Sequence, residues 1–108
     1  MEEKNVLKSL AALAQAHRLQ AFRHLVVAGP QGATPGQLSE QMGTPHATLS
    51  FHLKELMNAG LISQERNGRH LIYRVEFERM NGLLVYLTEN CCQGTHSCLN
   101  AADATCPC

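Results

Sequence analysis

The 108-residue chain has no tryptophan, few aromatic residues and no cysteine before position 91. No apolar run approaches the ~20 residues that cross a bilayer, which excludes a membrane-spanning helix. The opening Met1-Glu2-Glu3-Lys4 lacks the apolar stretch of a secretion signal, so export is not expected. An excess of charge of either sign is also missing, with 9 basic and 9 acidic side chains. That balance argues against a protein held to nucleic acid by bulk attraction alone.

What is present is organised. The length suits one domain with a core that forms without staples. Charge is local rather than global. Residues 1–30 and residues 46–75 each carry net +2, whereas residues 76–108 carry net −3. His46, His52 and His70 add to the second basic block as pH falls. The five cysteines all follow residue 90. An odd count without a secretion signal disfavours a disulfide framework and points to free thiols for a metal, a metalloid or redox chemistry.

Apolar spacing predicts a helix over residues 4–15 (Val6, Leu7, Leu10, Leu13, Ala14), then a second through Leu19, Phe22, Leu25 and Val26, closed by Gly29-Pro30. Thr34-Pro35-Gly36-Gln37 carries an N-cap, a proline suited to the first helical position and a capping box. Gly43 gives a turn, and Thr44-Pro45 repeats the cap-plus-proline signal for a helix to about Ala59, with Gly60 as its stop. Two strand-like runs, Leu61–Arg66 and Arg69–Val75, flank Asn67-Gly68, a strong hairpin signal. Met80, Leu83, Leu84 and Leu87 predict a last helix from about Glu78 to Gln93, which Gly94 ends. Residues 1–94 thus read as the folded domain and residues 95–108 as a cysteine-containing tail. The order helix, turn, helix, hairpin from Thr34 to Arg74 predicts a mainly α winged helix-turn-helix whose second helix enters the DNA major groove.

On that reading helix Leu49, Leu53, Leu56 and Met57 share one side, and Ala47, Thr48, Phe51, Lys54, Glu55 and Asn58 lie opposite. His46, Ser50 and His52 sit at the edges. Phe51 either packs under a neighbouring element or touches a thymine methyl, beside Thr48 and Ser50 on base edges. Lys54 and the helix N-terminus suit phosphates. His52 suits a packing role more than a base contact. The DNA-facing set is therefore His46, Thr48, Ser50, Phe51 and Lys54. Arg66, Arg69 and His70 at the hairpin tip would reach the backbone or minor groove.

The run Thr48-Leu49-Ser50-Phe51-His52-Leu53-Lys54-Glu55-Leu56, with Ala59-Gly60-Leu61-Ile62, Gly68-Arg69 and Tyr73, resembles the ArsR/SmtB family of winged-helix regulators. The resemblance covers most of the chain, from about Leu7 to Cys98. It implies a homodimer joined through its first and last helices, which represses an operon at a pseudo-palindromic operator until an inducer binds. It implies no enzymatic activity, no catalytic cofactor and no membrane partner.

Inducer sites differ within that family. The Cys-x-Cys pair some members carry in the first helix of the helix-turn-helix has no match in Gln37–Gln41. The Asp/His zinc set of the last helix has none in Phe77–Asn90. Cys91-Cys92-x5-Cys98 resembles the sites of members that sense arsenite or antimonite. Three thiolates without a fourth donor suit As(III) or Sb(III), whereas zinc usually takes four ligands. His96 offers a fourth, which leaves zinc, cadmium or lead open. Oxidation of the adjacent thiols would make a redox sensor instead. A protein-interaction module without DNA binding fits the zero net charge, and a small thiol enzyme lacks an obvious base other than His96. Cys106-Pro107-Cys108 could form a second soft-ion clip, but suits an auxiliary pair that captures the ligand, or an unimportant tail, better.

Overall fold

The computed structural model describes residues 1–89, and the fold is built from five helices and one hairpin. Helix α1 spans Glu3–Leu13 and α2 spans Ala16–Ala28. Of the apolar stripe expected on α1, only Val6 is buried, joined by Ser9 and Ala12, while Leu7 and Leu10 face outward. The first helix therefore packs on a narrow face of small residues with Leu13 half-buried against the core, and Leu7 and Leu10 find no cover among the described residues. The break after Leu13 is made by Gln15, whose side chain caps α2 by accepting the Arg18 N–H at 2.9 Å. Arg18 in turn donates from Nε to the Ala12 carbonyl at 2.6 Å, serving an unpaired carbonyl near the end of α1.

Gly29, at φ 66°, ends α2, and a short 3₁₀ turn, Gly29–Gln31, follows. The loop after it does more than the sequence suggested. Ala33 is buried and exchanges both backbone hydrogen bonds with Tyr73, at 2.9 and 2.8 Å. Gly32 makes that approach possible, because a Cβ there would collide with the Tyr73 carbonyl and the Ile72 side chain.

Helix α3, Pro35–Met42, begins with the expected capping box. Thr34 Oγ1 accepts the Gln37 N–H at 3.2 Å, and Gln37 Oε1 accepts the Thr34 N–H at 2.9 Å. Gly43 turns the chain in the left-handed region (φ 67°, ψ 24°). Helix α4, His46–Asn58, starts differently from expectation. Pro45 is the N-cap residue and makes no side-chain cap bond. Thr44 is drawn inside, where its carbonyl accepts from Ser39 Oγ at 2.6 Å. The helix thus begins one residue later than the Thr44 cap expected, with Thr44 inside the turn.

Strands β1 (Ile62–Asn67) and β2 (His70–Val75) pair antiparallel, from Ile62 opposite Val75 to Asn67 opposite His70. The two-residue loop is therefore Gly68-Arg69, one residue later than the Asn67-Gly68 expected. Gly68, at φ 66°, takes the first central position, as Gly-X loops do. Helix α5 spans Phe77–Thr88, and Glu89 is already extended (φ −56°, ψ 130°). It stops short of the Gln93 expected, so the described helix does not reach Cys91.

The core is a leucine cluster shared by all the middle elements: Leu25 of α2, Leu38 of α3, Leu49, Leu53 and Leu56 of α4, and Leu61 just after it. Each is completely buried. At about 1.5–3 kcal/mol per buried leucine, this cluster is the main force holding α4 to the body.

Candidate nucleic-acid interface

Helix α4 presents two chemistries. Leu49, His52, Leu53 and Leu56 are buried, while His46, Ala47, Thr48, Ser50, Phe51, Lys54 and Asn58 are exposed. Every α4 residue expected to meet DNA lies on the open side. Phe51 keeps 56 % of its surface exposed, so it is not packed under a neighbouring element. Without a side-chain cap, the first turn of α4 leaves backbone N–H groups and the positive end of the helix available to an anion.

The hairpin supplies a second set. Arg66, Asn67, Gly68, Arg69 and His70 are all exposed at its tip. Arg74 is not part of it: the guanidinium lies 3.2 Å from Glu65 Oε1 and donates from Nε to the Pro30 carbonyl at 2.8 Å. That pair stiffens the base of the wing. Among the described residues no ion pair engages Lys54, Arg66 or Arg69.

His52 takes the packing role expected of it, but without the hydrogen bonding of a satisfied buried histidine. It is buried against the flat face of His17, with ring centroids 5.3 Å apart and planes 3° from parallel. Phe51 meets it edge-on at 5.5 Å. Its Nδ1 has no hydrogen-bond partner. Burial pushes its pKa down first, and the charges of Arg18 and His17 push the same way against the opposing pull of Glu55. The neutral ring is thus the form the fold prefers. No sequence signal tied His17 to the reading helix, since the pair is 35 positions apart and only the folded arrangement of α2 against α4 joins them.

Cys91, Cys92 and Cys98, with His96, Cys106 and Cys108, lie outside the described residues. Among the described residues there is no group of three or more His, Cys, Asp or Glu that could hold a metal.

Comparison with known proteins agrees with this geometry. A helix-turn-helix domain family matches residues 13–65. The arsenical resistance operon repressor of Bacillus subtilis is 36 % identical over 81 residues, covering 75 % of this chain and 73 % of that one. The chain belongs to the ArsR family of winged-helix transcriptional regulators. A second relative in the family's range, the regulator KmtR of Mycobacterium tuberculosis, is 31 % identical over 80 residues. Those residues are 74 % of this chain but only 59 % of KmtR. The fold of this ArsR-family chain also matches the homodimeric winged helix-turn-helix DNA-binding domain of Mb0332 from Mycobacterium bovis. The TM-score is 0.65 at 24 % identity, with 86 % of each chain covered. No helix among the described residues is long and apolar enough to cross a membrane.

Proposed function

We propose that this protein is a homodimeric, cytoplasmic repressor of a metalloid-resistance operon, released from operator DNA when As(III) or Sb(III) binds Cys91, Cys92 and Cys98. The observation that carries the DNA half is the open face of α4. A helix held by three fully buried leucines turns Thr48, Ser50, Phe51 and Lys54 outward beside a wing tipped with two free arginines. His46, Thr48, Ser50 and Phe51 read base edges and methyl groups, and Lys54 holds phosphate. Arg66, Arg69 and His70 grip the flanking backbone or minor groove.

The inducer half is supported by donor chemistry and by the relative that represses an arsenical resistance operon. Three soft sulfur donors within eight positions match the coordination that trivalent arsenic prefers. Dimerisation is supported by the unpartnered apolar residues of α1 and α5, namely Leu7, Leu10, Leu84, Val85 and Leu87. In the sequence the first of these thiols, Cys91, comes three positions after the end of α5. A coupling of about 1–3 kcal/mol is enough to weaken DNA binding several-fold to a hundredfold.

Gel mobility shift with and without arsenite tests the reading. Arsenite is expected to release DNA from the wild type but not from Cys91→Ser or Cys98→Ser. Release by peroxide alone would favour a thiol redox regulator, and release by cadmium, lead or zinc alone a divalent-metal sensor. Failure of the reduced protein to take up arsenite would defeat the metalloid reading.

A further inference from the structure

A contact outside the helix-turn-helix extends the DNA-binding reading above and rests on it. His17 is the second residue of α2, exposed, and lies flat on His52 of α4. Its orientation follows from the cap of its own helix. Gln15 Oε1 accepts the Arg18 N–H, which fixes the amide and turns Gln15 Nε2 toward His17 Nδ1, 3.3 Å away. An amide nitrogen only donates, so Nδ1 is the acceptor in this contact and Nε2 is the ring nitrogen left to donate. His17 therefore holds one N–H donor with no partner among the described residues.

The stack does not exist to satisfy His52, because His52 Nδ1 stays unpartnered. It places the His17 ring beside the reading helix instead. The major groove is about 12 Å wide and a helix with its side chains about 10–12 Å across, so α4 would nearly fill it. A ring one stacking distance to the side then meets the groove rim, where phosphates run. His52 shares its flank of α4 with Thr48 one turn earlier and Glu55 one turn later. We propose that His17 Nε2 donates a hydrogen bond to a backbone phosphate of the bound duplex on that flank. Arg18, held to the end of α1 through its Nε, adds positive charge beside the ring. Glu55 is the acidic group that opposes it. The contact fixes how far α4 enters the groove and carries no base information itself.

His17→Phe keeps a flat ring on His52 and removes the Nε2 donor, together with the exposed Nδ1 contact to Gln15. Binding would be measured by fluorescence anisotropy on a duplex selected by the wild-type protein from a random pool, and on an unrelated duplex. The variant is expected to bind both about tenfold more weakly, as for loss of a hydrogen bond to a charged acceptor, with the melting temperature of the free protein unchanged. Methylphosphonate placed at the same position of both half-sites should bring the wild type down to the level of His17→Phe. A single substitution should cost the wild type about half that free energy, and the variant should lose nothing more at that position. Wild-type affinity in His17→Phe would overturn the contact, as would methylphosphonate costs equal for both proteins at every position. Failure of the wild type to bind any duplex at low salt would remove the DNA-binding reading as well. Wild-type binding alongside either overturning result would remove this contact alone.

Discussion

At the scale of single residues, the exposed side of α4 is readable from the sequence, and what covers its flank is not. Helical spacing separates Leu49, Leu53 and Leu56 from Thr48, Phe51 and Lys54 without further information, because one turn repeats every 3.6 residues. Spacing says nothing of what covers an edge position. His52 is such a position, and its covering ring comes from α2. The burial of His52 has a pH signature. Its folded pKa lies below the ordinary value near 6.5, so the unfolded chain takes up the proton first as pH falls. The stability this neutral ring contributes is complete above about pH 6.5 and is lost as pH drops toward the folded pKa. Between pH 7.5 and 5.5 the melting temperature of the wild type should therefore fall more than that of His52→Leu, measured by circular dichroism. Equal falls would show that His52 takes up its proton as readily in the folded protein as in the unfolded chain.

At the scale of elements, caps and turns were the most legible features where one residue does one job. The Thr34–Gln37 box formed as read, because both groups are exposed and nothing competes for them. The same signal at Thr44-Pro45 did not form a cap: Thr44 is buried in the turn, and α4 starts after Pro45. The hairpin tip also moved by one residue. Register follows from pairing along the whole ladder, Ile62 to Val75 at one end, and not from the dipeptide alone. Thr34→Ala removes a cap that works and should cost about 1 kcal/mol in chemical denaturation, whereas Thr34→Gly should cost only a few tenths. An equal loss in both would point to packing of Thr34 rather than capping.

For the molecule as a whole, the sequence foretold two apolar helices at its ends but not that their leucines would stay uncovered. Periodicity identifies a face and is silent on whether the cover comes from the same chain. Leu7 and Leu10 on α1, and Leu84, Val85 and Leu87 on α5, remain exposed. An apolar groove of about 370 Å³ runs between α2 and α5, lined by Leu19, Phe22 and Leu83 among others. Exposed apolar area of this kind is the usual mark of an interface. Val85→Glu combined with Leu87→Glu should yield a monomer by analytical ultracentrifugation. It should also bind a two-half-site operator no better than a single half-site. A double variant that remains dimeric would place the interface elsewhere.

The bridge between Ala33 and Tyr73 bears on how this architecture can diverge. It anchors the foot of the hairpin to the junction between α2 and α3, where Gly32 leaves no room for a larger residue. Lineages seeking a longer wing are barred from adding residues at that foot. Growth has to occur beyond Asn67 and His70, because an odd insertion lower in a strand would exchange its inner and outer sides. Descendants of this chain should vary in wing length only at the far end, with the anchored foot unchanged.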